Sequence, residues 1–123
     1  MYKNTIETVI AKQDISDVIM RYARAIDRAD GPLLHSCYWD DAIEEHGSNY
    51  SGPARPYIDG AIERLQNAGV MMHHVGNIHI ELEDDLAWVE SYVLTFARPS
   101  TGTGMIRFQK AGVSDCSIPK IQE

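Results

Sequence analysis

The chain of 123 residues has the length of one domain, and 44% apolar and 24% charged residues are typical of a globular protein. Its net charge of −7 argues against nucleic acid as a partner, because phosphate binding requires a basic surface. We find no signal-like N-terminus, no apolar run near the roughly 18 residues of a membrane span, and no metal-like cysteine spacing. We therefore expect a cytoplasmic protein with reduced thiols and no membrane partner.

The clearest predicted helix covers residues 14–29, with Asp14 as its N-cap and a separate short helix over residues 3–10. Asp27 lies at the margin of its apolar stripe, so the helical wheel marks it neither as core nor as fully solvated. The stripe itself consists of Ile15, Val18, Ile19, Tyr22, Ala25 and Ile26, which recur at spacings of three and four.

Two further helices and a short strand are predicted before the sheet. A short helix opens at Asp30 or Gly31, with Pro32 at its first position. "AIEEHG" reads as a short strand, and "GPARPYIDGAIERLQNAG" as a helix that stops at Gly69.

Two long strands, "VMMHHVGNIHIEL" and "LAWVESYVLTFAR", are joined at "EDD" and predict a long hairpin. One face of the second strand is uniformly small, which leaves space for a ligand pocket. That face consists of Ala87, Val89, Ser91, Val93 and Thr95. One or two short strands are expected around Met105–Gln109 and Val113–Ile118. Helices followed by strands predict an α+β fold, with helices on one face of an antiparallel sheet.

The first long strand has a conflict of parity. Alternate residues of a strand share a face, so Ile78 and Ile80 would lie together on the buried face. In an unbroken strand His73 would then lie on the opposite face. A β-bulge at Gly76 and Asn77 would reverse the parity and turn His73 towards the buried side.

His73 and Asp27 are the candidate chemical pair. A neutral imidazole accepts protons near pH 7, and a carboxylate on its other nitrogen would fix its tautomer. The alternatives are a solvated Asp27 beside Arg24 or Arg28 and a structural His73. Adjacent strand residues point to opposite faces, so His73 and His74 do not chelate one ion together, and we expect neither metal nor cofactor.

Tyr22 either packs in the core or donates a hydrogen bond into the same site. The tryptophans and Tyr92 read as core or interface residues. No glycine-rich phosphate loop, nucleophile elbow or Cys–His signature is present in the sequence.

A resemblance to a known family emerges from several motifs taken together. They are "RYARAIDRAD", "LHSCYWDDA", "Y-x-G" before a helix, and "HHVGN" leading into a hairpin with "AWVESY". The chain resembles the SnoaL-like branch of the nuclear transport factor 2-like superfamily over about residues 10–98, within a single domain of residues 1–123. The tail over residues 99–123 does not match the long final strands that are usual in the family.

The resemblance implies a cone-shaped, cystatin-like α+β barrel around a deep apolar pocket, with atypical or shortened C-terminal strands. It implies a cofactor-independent lyase or isomerase in which Asp27 and His73 act on a small apolar, steroid-like or polyketide-like ligand. Tyr22 would be catalytic as well, and Trp39, Val89, Val93 and Thr95 would line the pocket. The alternative is a non-catalytic subunit like the β subunits of ring-hydroxylating dioxygenases. A homodimer or homotrimer is expected in either case, because the short tail would leave a sheet edge exposed.

Overall fold

The chain begins with one long helix, α1 (Ile6–Asp27), in the computed structural model of the protein, which describes residues 4–98 and the backbone of residues 105–117. Thr5 caps this helix reciprocally: its hydroxyl accepts from the Thr8 N–H (3.2 Å), and the Thr8 hydroxyl accepts from the Thr5 N–H (3.0 Å). The predicted N-cap at Asp14 and the separate short helix are therefore wrong. The cap at Thr5 satisfies the end of a helix that runs without a break through both segments.

A tight reversal connects α1 to α2 (Gly31–His35). Ala29 adopts a φ of 50°, and the Asp30 N–H donates to the Ala25 carbonyl (2.9 Å). The Asp30 side chain then accepts from the Leu33 N–H (3.0 Å), so Asp30 is the N-cap of α2. The helix begins at Gly31, and Pro32 is its second residue rather than the predicted first. This reversal ends α1 at Asp27 and keeps α2 beside it.

A small hairpin leads into the third helix. Strands β1 (Ile43–His46) and β2 (Tyr50–Pro53) pair in antiparallel register, and α3 (Ala54–Gln66) follows directly. The short strand predicted in "AIEEHG" is confirmed as β1, whereas β2 was not predicted.

The larger sheet has the order β3-β4-β5, with all pairs antiparallel. β3 (Val70–Glu83) and β4 (Leu86–Arg98) form the predicted hairpin around a turn at Asp84 and Asp85. β5 (Met105–Ser117) is one continuous strand where one or two short ones were expected, and Ile118 lies outside the described residues. In the sequence of this tail, small and polar residues obscure the alternation of apolar and polar positions that is typical of a strand. The backbone hydrogen bonds to β4 do not depend on side-chain type.

The predicted bulge in β3 is confirmed. Val75 pairs with Val93 and Ile78 pairs with Ser91, so Gly76 and Asn77 together oppose one residue of β4. The bulge brings His73 onto the same inner face of the sheet as the apolar residues that follow it. The partly buried positions of β3 are Met71, His73, Val75, Ile78, Ile80 and Leu82.

The buried apolar side chains of residues 4–98 include two clusters, and α1 contributes to both. The helical cluster contains Ala25, Leu34, Ala54 and Ile58 and joins α1 to α2 and α3. The sheet cluster contains Ile15, Ala87 and Val89 and joins α1 to the inner face of β3 and β4. The sheet cluster thus holds the middle of α1 against the sheet, and the helical cluster holds its C-terminal end against α2 and α3. None of the helices in the described part of the chain is both long and apolar enough to cross a membrane.

Candidate active site

Asp27 and His73 are in direct contact, 46 residues apart in the chain. Asp27 Oδ1 lies 2.7 Å from His73 Nδ1 and accepts from the His73 backbone N–H at 2.9 Å. Asp27 Oδ2 lies 3.2 Å from the same backbone nitrogen. Both side chains are largely buried, with exposed fractions of 19% for Asp27 and 14% for His73. One carboxylate therefore holds both the backbone and the ring of the histidine.

This contact selects the tautomer of His73. A carboxylate is an acceptor only, so the proton of a neutral ring lies on Nδ1 and Nε2 keeps its lone pair. Within residues 4–98 no hydrogen bond reaches Nε2. His73 thus presents a proton acceptor on the side of the ring away from Asp27.

Asp27 occupies a position that is unfavourable for a carboxylate by itself. It is the last residue of α1, where the helix dipole disfavours negative charge. The alternative of a salt bridge with Arg24 or Arg28 is not found, because within residues 4–98 the polar contacts of the Asp27 carboxylate are with His73. The donors from His73 therefore offset the cost of this carboxylate.

The β4 residues opposite His73 are small, as predicted. Thr95 pairs directly with His73, and Val93 pairs with Val75. Val89 lies further along the strand and packs against Ile15 of α1 in the sheet cluster. Helix α1 therefore fills the small-residue face at Val89, while Val93 and Thr95 lie at the His73 end.

Tyr22 does not contact Asp27 or His73 among the described contacts. It lies instead beside a second group of polar side chains, which contains Tyr38, Glu44 and His46. Its ring lies 6.1 Å from that of Tyr38, centroid to centroid, beside the helical cluster. The Tyr38 hydroxyl donates to Glu44 Oε2 (3.1 Å), and Glu44 Oε1 lies 3.0 Å from His46 Nδ1. Sequence reasoning missed this chain, although Glu44 and His46 have the spacing of two that places strand residues on one face.

Burial and the nearby Glu44 carboxylate raise the pKa of the Tyr22 hydroxyl above its usual value. Burial, Tyr22 and Glu44 do the same to the pKa of Tyr38. Both hydroxyls are therefore protonated donors at neutral pH.

The raised tyrosine pKa values predict a loss of stability in alkali. Unfolded tyrosines ionise near pH ~10, whereas folded Tyr22 and Tyr38 resist ionisation. The stability that this difference in pKa contributes is fully present below the unfolded pKa, and it is lost as the pH rises from there through the folded pKa. Urea unfolding at about pH 8 and about pH 11 measures this loss, which should be smaller in Tyr22→Phe than in the wild type. A variant of the exposed Tyr92, Tyr92→Phe, should keep the wild-type loss, and an equal loss in Tyr22→Phe would contradict the prediction.

Trp39 lies at the surface, with 45% of its area exposed, and makes no described contact with Asp27 or His73.

A separate group of polar side chains connects two helices. His35 Nε2 is 2.8 Å from Asp59 Oδ1, and Arg55 bridges His35 and Asp40. His35 thus joins α2 to α3. Among the described residues, no group of three or more His, Cys, Asp or Glu side chains is placed to hold a metal ion.

Described residues form two surface clefts away from Asp27 and His73. One is lined by Asn77, Ile78, His79, Glu90 and Tyr92. The other lies between α1 and β3, at Lys12, Ser16 and the strand residues 78–81. Neither cleft is lined by Asp27, His73 or Thr95.

The fold and the site define a class of protein: helices on an antiparallel sheet, with a carboxylate at the end of a long helix bonded to a strand histidine. The family model described as a SnoaL-like domain matches residues 7–115. The chain belongs to this family, which confirms the resemblance and extends it into β5.

Solved structures of low sequence identity share the fold. A proposed scytalone dehydratase from Novosphingobium aromaticivorans DSM 12444 superposes with a TM-score of 0.76 at 19% identity, over 84% of this chain and 71% of that one. A proposed dehydratase of the NTF2-like family from Streptomyces avermitilis gives 0.69 at 16% identity, over 88% and 85%. The predicted α+β, nuclear transport factor 2-like fold is thereby confirmed.

A subunit of a different kind of protein has the same fold. The β subunit of benzoate 1,2-dioxygenase from Burkholderia mallei ATCC 23344 superposes with a TM-score of 0.66 at 16% identity, over 93% of this chain and 81% of that one. No curated protein matches the sequence. The fold therefore accommodates both proposed dehydratases and an oxygenase subunit, and the function must be argued from the site.

Proposed function

We propose that the chain is a cofactor-independent lyase or isomerase that removes a proton from a carbon atom of a small, largely apolar molecule. The contact of 2.7 Å between Asp27 Oδ1 and His73 Nδ1 is the observation that carries this proposal. It leaves Nε2 as a positioned base, and proton transfer by one positioned group contributes about 10²–10⁴-fold to a rate.

In the proposed reaction His73 accepts the proton at Nε2, and Asp27 orients the ring and balances the charge of the imidazolium. His73 then returns the proton, either to a leaving hydroxide in a dehydration or to another carbon in an isomerisation. Tyr22 as a donor to the substrate stays a prediction, as do Trp39, Val89 and Val93 as pocket residues. Steroid-like or polyketide-like molecules are the proposed ligands.

Isotope exchange tests this proposal without the natural substrate. Acetophenone is a small apolar ketone whose methyl protons exchange with D₂O when a base removes them, and proton NMR follows the exchange. The wild-type chain should accelerate the exchange, and His73→Gln should lower the catalysed rate by about 10²–10⁴-fold. His74→Gln is the matched control, because the adjacent His74 is exposed and lies off the inner face. Equal catalysed rates for the wild type and His73→Gln, or no acceleration by the wild type, would refute the proposal.

The second candidate is a non-catalytic binding or assembly subunit. The likeness to the benzoate dioxygenase β subunit over 93% of the chain favours it. The outer face of the sheet also leaves Met72, Trp88 and Tyr92 about half exposed, which suits association. Such a subunit would not accelerate the exchange of acetophenone. The homodimer or homotrimer stays a prediction for either function.

A further inference from the structure

Thr95 carries a buried hydroxyl without a hydrogen-bond partner. Only 8% of the residue is exposed, and its Oγ1 is the unsatisfied atom found among the buried side-chain nitrogens and oxygens of the described residues. Folded proteins satisfy nearly all of their buried polar groups, because an unpaired one loses its hydrogen bonds to water without replacement. A polar atom in this state points to a partner that the side chains of residues 4–98 do not themselves supply.

The position of Thr95 relates this hydroxyl to His73. The two residues are register partners on adjacent antiparallel strands, and both lie on the inner face of the sheet. Side chains of such partners are neighbours, with Cβ atoms roughly 4.5–5.5 Å apart. Val93 and Ala97, the next positions on this face of β4, are also small residues.

We infer that the Thr95 hydroxyl donates a hydrogen bond to a carbonyl oxygen of the molecule from which His73 removes a proton. This inference rests on the proposed function and names the substrate class, a carbonyl compound with a C–H bond on the adjacent carbon. Rotation about the Cα–Cβ bond of threonine moves its hydroxyl among three staggered positions, so the hydroxyl can turn towards a bound carbonyl oxygen.

The chemistry explains why a donor is needed at this place. When the C–H bond breaks, the proton goes to His73 Nε2 and the electron pair forms a C=C bond. The carbonyl π pair moves to oxygen, which becomes an enolate oxygen with negative charge. A hydroxyl fixed at that oxygen stabilises the charge as it develops, in the manner of an oxyanion hole. Asp27 and Thr95 thus act at the two ends of the reaction, Asp27 on the imidazolium and Thr95 on the enolate.

Binding of two matched probes tests the contact. Ethylbenzene resembles acetophenone in shape and lacks the carbonyl oxygen, and NMR titration gives a dissociation constant for each. The dissociation constant for ethylbenzene divided by that for acetophenone should fall roughly 3–10-fold in Thr95→Val, the range of one hydrogen bond. Thr95→Ser keeps the hydroxyl and should retain the wild-type ratio. The urea midpoint of Thr95→Val should equal or exceed that of the wild type, because an unpaired hydroxyl is replaced by a methyl group of similar size.

Each result decides the inference. An unchanged ratio in Thr95→Val, or a wild-type chain that does not bind acetophenone, overturns it. So does a lower urea midpoint in Thr95→Val, because the hydroxyl would then have a structural partner. The proposed function fails separately: the exchange rate would be the same in His73→Gln and the wild type, while Thr95→Val still changed the binding ratio.

Discussion

Asparagine in place of Asp27 is expected to lower the His73-dependent exchange of acetophenone protons by about 10²–10⁴-fold. The reason is the geometry of the contact. With its oxygen at the Oδ1 position, the amide still accepts from the ring and from the backbone N–H of His73, but it carries no negative charge to balance the imidazolium. With the amide reversed, its NH₂ group faces Nδ1, and the ring must move its proton to Nε2. The first arrangement removes the charge that stabilises the imidazolium, and the second removes the lone pair of the base.

Nitrogen-15 NMR of the histidine rings checks the cause independently of the rate. The wild-type chain should carry the neutral-ring proton of His73 on Nδ1, and Asp27→Asn should shift it towards Nε2. Asp17→Asn is the control on the same helix, because Asp17 is exposed and bonds only to Gln13 among the described contacts. An Asp27→Asn variant with the wild-type tautomer and the wild-type exchange rate would remove the positioning role from Asp27.

Truncation of Ile58 to alanine is expected to lower the free energy of unfolding by about 2–5 kcal/mol. Ile58 is only 1% exposed and packs with Leu34 and Ala25 in the helical cluster. Helix α2 has five residues, too few for a stable helix by itself, so it depends on this packing. The loss is a large fraction of the roughly 5–15 kcal/mol that stabilises a typical domain.

Urea unfolding measures this loss, and Ile43→Ala supplies the control. Ile43 is the same residue type but 63% exposed, so its truncation should change the unfolding free energy by less than about 0.5 kcal/mol. Similar losses in the two variants would mean that the helical cluster is not the source of stability assigned to it.

Much of the site could be predicted from the sequence, because the alternation of apolar and polar residues in a strand shows which face each side chain occupies. The conflict of parity between His73 and Ile78 predicted the bulge, which the register confirms. The end of the apolar stripe at Asp27 marked a carboxylate that was neither core nor fully solvated. The pairing of these two residues was a hypothesis, since local patterns carry no information on contacts 46 residues apart.

The start of α1, the length of β5 and the unpaired Thr95 hydroxyl could not be predicted from local sequence patterns. The start of α1 depends on the Thr5 and Thr8 cap, which competed with the equally plausible cap at Asp14. Strand β5 depends on pairing with β4, because its small and polar residues lack a clear alternation. The unpaired state of the Thr95 hydroxyl is a property of everything packed around it.

The sequence by itself determined that helices precede the large sheet, the α+β class, the bulge and the residues capable of acid–base chemistry. These follow from the periodicity of 3.6 in helices and of 2 in strands, which each segment carries within itself. The tertiary structure decided which of these residues meet. It joined Asp27 to His73 and placed Thr95 opposite His73 on the neighbouring strand. It also placed Tyr22 beside Tyr38, which is hydrogen-bonded to Glu44. Such contacts depend on how distant elements pack, because hydrogen bonds between side chains require positions defined to within an ångström.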